Sequence, residues 1–524
     1  MCVPASQIMI EHPEAEEHGD YSTNIALELK GGPPLAEKIA AQIGSEDFDV
    51  SVAGSGFINF KFRPQFLVDQ LDDIAIPQIG KGKTVVVEYS SPNIAKPFGI
   101  GHLSSTIIGQ ALYNIYQSLG YQVIGDNHLG DWGTQFGKII YMIKSTNTSD
   151  YSIENLEKLY VQFHKLAEAD PSLEEEGRRW FKKLEDKDPQ ARQIWQMCVD
   201  VSLAEFDRVY ELLGVKIDNA YGESFYEDMM VQVIADARDI TKKSQGALII
   251  EVANEKTPLM LLKSDGGTTY ATRDLATVKF RKQKWDPDLV IYEVGAEQTL
   301  HFRQVFAAAK LLGYVSYVNS LIHTKHGLYL DTDGKKFATR KGKTVKLEAV
   351  LNEAIDRAKK LGSENDATAK AVGIGAIKYF NLMHGIQSDV VFDWEKIMAL
   401  EGNSGPYLQY TYARTQSVLA KSQIPNPKSQ INFKFQTSNF KLNREELAIL
   451  RWIYRYGEVV EEAAARYAPN LVCNFLYELA QRYNTFYNKH PILGNDFRLA
   501  LTQAVGSVLK SGLNLLGIAV LEHM

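Results

Sequence analysis

The 524-residue sequence is short of cysteine, of long apolar runs and of positive charge, and each shortage removes a class of protein. Its three cysteines, Cys2, Cys198 and Cys473, lie far apart and form no Cys-x-x-Cys pair. That excludes the usual thiolate zinc signature, gives no disulfide framework and fits a reducing cytoplasm; no metal site is expected. No run of about 18 apolar residues occurs. The start, MCVPASQIMIEHPEAEEHGDY, turns acidic where an export signal would be basic and then apolar, so the chain reads as neither secreted nor membrane-spanning. With a formal net charge of -7, a nucleic-acid partner would have to find a local basic patch. No internal repeat and no low-complexity tract occurs.

What is present belongs to a folded protein. Hydrophobic residues make up 45% and charged residues 23%, which excludes disorder. The length is too great for one core, so about two to four domains are expected. Residues 1–80 read as a small α+β module, with a helical stretch from Pro34 to Ile43 and alternating apolar residues in FINFKF, 57–62. After the glycine-rich GKGKT at 80–84, the run TVVVEYSS has the pattern of a parallel strand buried on both faces. Leu103, Ile107, Ala111, Ile115 and Leu119 then recur at helical spacing before Gly120 and the strand YQVIGD, which makes a βαβ unit.

Residues 140–240 are charged, helical in period and free of strand runs, as in an insertion. Strand-like ALIIEV, LVIYEVG and LIHTKHGLYL then resume the sheet, alternating with helical segments such as LHFRQVFAAAKLLGY. Beyond residue 400 the pattern is helical, with REELAILRWIYRYGEVVEEAAARYAP as one long amphipathic segment and 421–439 as a linker. The expected architecture is therefore multidomain α/β plus all-α. It has a small α+β module at 1–80, a Rossmann-like parallel-sheet domain with a helical insertion at 81–400, and a helical bundle at 401–524.

The chemistry concentrates in two glycine-punctuated loops. EYSSPNIAKPFGIGH, from Glu88 to His102, follows the first strand of the parallel sheet, where open sheets bind their ligands. Gly99 and Gly101 allow close backbone approach, and Lys96 and His102 add donors at a helix start that favours phosphate. Gly-x-Gly-His alone fits a glycine turn with a packed histidine equally well. The second loop, DTDGKKFATRKGK at 331–343, fits a solvated hairpin if taken alone. Together on one sheet, the two loops can close on a triphosphate from opposite sides and supply charge at a leaving pyrophosphate.

EYSSPNIAKPFGIGHLSSTIIGQAL resembles the arginyl-tRNA synthetase form of the class I HIGH motif, and KFATRKGKTVKL resembles that family's KMSKS equivalent. Further likenesses follow in order: GDNHLGDWGTQFGKII, GESFY, YATRDLA, VGAEQTLHF, GNSGPYLQYTYAR, YNTFYNKHPIL and the terminal LLGIAVLEHM. The resemblance implies two-step aminoacylation, with ATP (and Mg²⁺ arriving on it), L-arginine and tRNA(Arg) as partners, in a cytoplasmic monomer. It implies an arginine pocket of Glu88, Asn93, Glu223, Tyr270, Asp274 and Gln298, which suits a guanidinium that offers five donors and keeps its charge. Each carboxylate alone could equally be a surface ion-pair partner. Asp274 follows Tyr270 by four residues, so a helix would present both on one face.

The resemblance also implies catalytic roles for Lys96, His102, Lys336 and Lys341, and ATP contacts from Gly99, Gly101, His102, Thr339 and Arg340. It implies tRNA contacts by Phe57 and Asn59 in the N-terminal module, and by Tyr407, Arg414, Tyr483 and Tyr487 in the bundle. Core packing is the simpler reading of Phe57 and of tyrosines at helical spacing. The chain departs from the family pattern at Gly99 (commonly histidine), Ser104 (commonly arginine) and Thr339 (commonly lysine), and its amino-terminal module is shorter than usual. Two other readings therefore stand beside the first: a catalytically weak RNA-binding paralogue, and a class I nucleotidyl transferase that needs no RNA.

Overall fold

The computed structural model describes residues 4, 8–72, 74–253, 255–317, 320–331, 333–335, 345–362, 365–422, 435 and 441–524. Near the amino terminus, β1 (Tyr21–Thr23), β2 (Phe48–Ala53) and β3 (Phe57–Phe62) form an antiparallel sheet in the order β1-β3-β2. The helix Gly32–Ala40 packs on it over a small core of Ile25, Ala26, Ala36 and Ile58. Pro33 and Pro34 start that helix two residues before the expected stretch, because proline is suited to the first helical turn.

The centre of the molecule is a five-stranded parallel sheet. Strands β4 (Thr84–Glu88), β5 (Gln122–Leu129) and β6 (Asn219–Gly222) run outward in one direction. Strands β7 (Thr241–Ser244), β8 (Ala247–Ile250) and β9 (Leu259–Leu262) form a separate antiparallel sheet, after which β10 (Leu289–Tyr292) and β11 (Leu321–His323) extend the central sheet the other way. The order β11-β10-β4-β5-β6 reverses direction between β4 and β10, which opens a crevice at their carboxyl ends. Val85, Val86 and Val87 are fully buried, as a strand covered on both faces requires.

Four helices, Thr134–Thr146, Ile153–Ala169, Leu173–Glu185 and Pro189–Leu213, fill the connection from β5 to β6. The last begins because the Asp188 side chain accepts from the N–H groups of Gln190 and Ala191 with Pro189 behind it, and it ends at Gly214, which takes φ +61°.

Downstream, β12 (Tyr329–Leu330) pairs in parallel with β13 (Val390–Val391). The helix Asp366–Leu382 follows the helix Leu347–Lys360, and the carboxyl-terminal helices are Gly405–Lys421, Arg444–Ile453, Tyr456–Ala465, Asn470–Lys489 and Asp496–Leu515. The N-terminal module meets this helical region where Arg451 lies 3.5 Å from Asp20 and the Phe62 ring meets Tyr454 edge-on at 5.3 Å. The helix Gly101–Ser118 reaches it too, with the Tyr116 hydroxyl donating to the Ala464 carbonyl at 3.0 Å.

Four expectations change. ALIIEV forms β8 outside the central sheet, because an apolar run does not specify its neighbours. LIHTKHGLYL breaks into β11 and β12 in different sheets, parted at Thr324–Leu328, where Lys325 takes φ +63°. The insertion contains the strand β6, which NAYG is too short and polar to announce. REELAILRWIYRYGEVVEEAAARYAP is two helices parted at Tyr454 and Arg455. Of the expected linker 421–439, residues 423–434 and 436–439 lie outside the described residues.

The helix Gly101–Ser118 sits tightly on the end of β4, and a Cβ on Gly109 would fall 2.2 Å from the Cβ of Tyr89. Gly109→Ala is expected to destabilise the protein by about 1–3 kcal/mol through overpacking, read as a lower urea midpoint with an unchanged slope. An unaltered midpoint would mean that this contact is not tight.

Candidate active site

The chain leaves β4 through a strained loop. Ser90, Ser91 and Ala95 all take positive φ, at 75°, 47° and 60°, a region costly for residues with a Cβ. A side chain from elsewhere holds each. The N–H of Ser90 donates to Ser105 Oγ, that of Ser91 to Asn127 Oδ1 and that of Ala95 to Ser202 Oγ, each at 2.9 Å. Next to them the Ile94 N–H donates to the Gly130 carbonyl at 3.1 Å, which ties this loop to the one after β5. The strain is thus over-determined, and it aims Asn93 and Lys96 outward, where both are exposed.

At the far end of the loop, Gly99 bridges antiparallel to Lys346, the Ile100 N–H donates to the Val345 carbonyl at 3.0 Å, and the Leu347 N–H donates to the Phe98 carbonyl at 2.9 Å. The two glycine-punctuated segments, more than two hundred residues apart in sequence, are therefore joined at the described flank of the second. Lys336, Thr339, Arg340 and Lys341 lie outside the described residues. The Gly99 N–H donates to His102 Nδ1 at 3.2 Å, so the proton of the neutral ring belongs on Nε2. Burial, helped by the nearby Lys96 and His326 charges, holds the His102 pKa below its ordinary value, so the ring is a neutral donor at pH 7. Gly101 opens the helix and is exposed. Ser104 does not face outward: it is buried, and its Oγ accepts from Asn381 Nδ2 at 2.9 Å.

A cavity of about 400 Å³ opens at the reversal point of the sheet. Glu88, Asn93, Glu223, Tyr270, Asp274 and Gln298 all line it, together with Ser91, His128, Val294, His301 and Phe302. Asn93, Tyr270 and Gln298 are exposed at its rim, while Glu88 is only 5% exposed in its floor. Tyr270 and Asp274 come from the first turns of the helix Tyr270–Trp285, four residues apart, and both line the cavity.

Its acids are arranged individually. Glu223 Oε2 is buried and has no hydrogen-bond partner among the described residues; Arg273 Nε lies 3.4 Å away. Burial, against the opposing pull of Arg273 and His128, pushes the Glu223 carboxyl up to about 7. Burial pushes the Asp274 carboxyl up as well. The hydrogen bond with His301 Nε2 and the charges of His301, His128 and Arg273 outweigh it, so the pKa stays below the ordinary carboxylate value. Glu223 is held in place from behind, because Asp131 accepts from the Ser224 N–H at 2.8 Å and from the Ser224 hydroxyl at 2.5 Å.

The pairing partners His128, His301, Arg273 and Asp131 were not singled out from the sequence. They do lie inside the quoted segments GDNHLGDWG, VGAEQTLHF and YATRDLA, so motif membership was the available signal. A cluster of buried and half-buried carboxylates beside an exposed polar rim suits a flat, multiply donating cation, and the joined loops suit a phosphate group.

The remaining candidates do not line this cavity. Phe57 is half-buried on β3, Tyr407 and Arg414 are half-buried, and Tyr487 is exposed. The Arg414 guanidinium stacks between the rings of Tyr410 and Tyr487, at 4.8 and 4.9 Å, and Asn484 Nδ2 donates to the Tyr407 hydroxyl at 2.9 Å. Two candidates are corrected. Tyr483 is fully buried on the inner face of the helix Asn470–Lys489, and Asn59 is 5% exposed on the middle strand of the N-terminal sheet, so neither presents a surface to an RNA base.

Three family models match the chain: tRNA synthetases class I (R), catalytic domain, over 65–394; the DALR anticodon binding domain over 408–524; and the arginyl tRNA synthetase N terminal domain over 3–62. The chain is 40% identical to an arginine–tRNA ligase of Halothermothrix orenii over 551 aligned residues, covering 98% of this chain and 95% of that one. It is 39% identical to one of Chloroflexus aggregans, covering 100% and 96%. The structure is similar to the arginyl-tRNA synthetase of Plasmodium falciparum, with a TM-score of 0.85, 26% identity and coverage of 99% and 95%. It shares the fold of the Thermus thermophilus enzyme, with a TM-score of 0.85, 22% identity and coverage of 99% and 96%.

A Cβ on Gly222 would fall 2.2–2.5 Å from the Asp131 carboxylate. Gly222→Ala should therefore destabilise by about 1–3 kcal/mol in thermal melts, and by much less in an Asp131→Ala background, where the clash is gone. Additive losses would contradict this account of how Glu223 is placed.

Proposed function

The chain belongs to the class I arginyl-tRNA synthetase family and is an arginine–tRNA ligase; we propose that the acid-floored cavity takes the arginine and that the joined loops take the ATP phosphates. What supports this reading is that six residues scattered from 88 to 298 line one cavity, and that the loop supplying Asn93 to it is bridged at Gly99 to Lys346. Glu88, Glu223 and Asp274 receive the positive groups of L-arginine, and Asn93, Tyr270 and Gln298 fix its orientation at the rim.

The arginine carboxylate then attacks the α-phosphorus of ATP in line, pyrophosphate leaves, and arginyl-adenylate remains. Lys96 and His102 Nε2 donate to the phosphates and Gly99 and Gly101 let the backbone approach; by the family resemblance Lys336, Thr339, Arg340 and Lys341 of the second loop, outside the described residues, act on the same phosphates. Mg²⁺ brought by ATP would offset the charge of its phosphates. The terminal ribose hydroxyl of tRNA(Arg) then takes the arginyl group from the adenylate, and AMP leaves. No protein nucleophile is needed, since positioning and charge stabilisation carry such steps.

We assign 1–80 and 401–524 to RNA contacts and 81–400 to catalysis, with Phe57, Tyr407, Arg414 and Tyr487 as the RNA-facing side chains. We take the working form to be a monomer. Among the described residues no helix is long and apolar enough to cross a membrane; we place the enzyme in the cytoplasm.

Pyrophosphate exchange should depend on arginine and appear only with tRNA present, and labelled arginine should be charged onto bulk tRNA. Exchange driven by another amino acid alone would overturn the substrate, and binding of tRNA without charging at any enzyme concentration would favour the weak paralogue. Arginine binding should also release protons. Below about pH 7 the empty cavity holds Glu223 protonated, and an arriving cation expels that proton, so affinity rises with pH through about 7 and then levels. Titration calorimetry near pH 6.5 in two buffers of different ionisation enthalpy reads this release, which Glu223→Gln should abolish; buffer-independent heats would contradict it.

A further inference from the structure

The helix that carries Tyr270 and Asp274 also sends a buried arginine beneath the cavity, and no step above uses it. Tyr270, Asp274 and Arg281 lie at i, i+4 and i+11, so one helix face presents all three. Arg281 is 1% exposed. Its Nη2 lies 2.6 Å from Glu88 Oε2 and 2.7 Å from Asp126 Oδ2, its Nε donates to Asp126 Oδ2 at 2.9 Å, and its guanidinium stacks on the Tyr292 ring at 5.2 Å. Those three partners form one row across the sheet, because Tyr292 pairs with Glu88 and Glu88 with Asp126.

Two carboxylates side by side at 5% and 0% exposure cannot both stay ionised without a countercharge. Nη2 touches both acids while Nε also holds Asp126, a planar two-nitrogen contact that a lysine ammonium cannot repeat. In the trio of Arg281, Glu88 and Asp126, one guanidinium faces two carboxylates. Glu88 is its only member that lines the cavity, and Arg281 engages its Oε2.

We propose that Arg281 is a positioning residue for amino-acid selection: it grips Glu88 and Asp126 from below, fixes the Glu88 carboxylate towards the cavity, and leaves a single negative charge that only a cationic side chain completes. An uncharged isostere such as citrulline leaves that charge unmet. The inference rests on the reading of Glu88 as a pocket acid.

The test uses the full-length chain with tRNA, measuring KM for arginine, KM for ATP and kcat for Arg281→Lys, Arg281→Met and the double variant Arg281→Met/Asp126→Asn. The double variant removes one charge of each sign, so it should fold even where Arg281→Met does not. KM for arginine should rise about tenfold or more in the double variant and in Arg281→Lys, the scale seen when outer support of a binding group is lost, with KM for ATP held within about twofold. If the double variant or Arg281→Lys keeps the wild-type KM for arginine, Arg281 is only a neutraliser of buried charge and the proposal fails. Glu88→Gln separates this from the premise: no change in its KM for arginine would remove Glu88 from the pocket, whatever the Arg281 variants do.

Discussion

The site depends on a loop that could not hold its own shape. Between Glu88 and Gly101 the backbone passes through three left-handed residues with side chains, and it stays there because Ser105, Asn127 and Ser202 each accept one of its N–H groups. These acceptors come from the following helix, the neighbouring strand and the helical insertion. A single loop is thereby fastened to three parts of the catalytic region, and the insertion acts as part of the site's frame. The same loop, at its other end, pairs with Val345–Leu347, so the two glycine-punctuated segments are joined at the described flank of the second.

The second constraint is charge. A pocket for a guanidinium needs buried acids, and buried acids repel one another and lose their protons reluctantly. Three solutions stand side by side. Asp274 is kept ionised by His301, Glu88 is paired with Arg281 from beneath, and Glu223 is left partly unmet, with burial lifting its carboxyl to about 7. The cavity is thus poised and not saturated: it retains acceptors that a cation, and little else, can satisfy.

Legibility in the sequence followed physical type. Periodicity located β4, the helix Gly101–Ser118 and β5 to within about three residues at their ends, because each is buried along a clean pattern. It failed for β6, four residues with little apolar content, and for β8, whose apolar run says nothing of its sheet. Six of the cavity's lining residues were legible through motif resemblance, but their supports were not. Arg281 reads as one more basic residue in KFRKQKW, and only the fold shows it pointing inward. Tyr483 and Asn59 erred in the opposite direction: a polar or aromatic residue near a motif gives no sign of which face of its helix or strand it occupies.

The most direct measurement is a structure of the protein with a non-hydrolysable arginyl-adenylate analogue. The account predicts the guanidinium against the carboxylates of Glu88, Glu223 and Asp274, and the phosphate between Lys96, His102 and the Val345–Leu347 flank. A ligand whose side chain lies outside the acid cluster, or whose phosphate lies away from the paired loops, would contradict it.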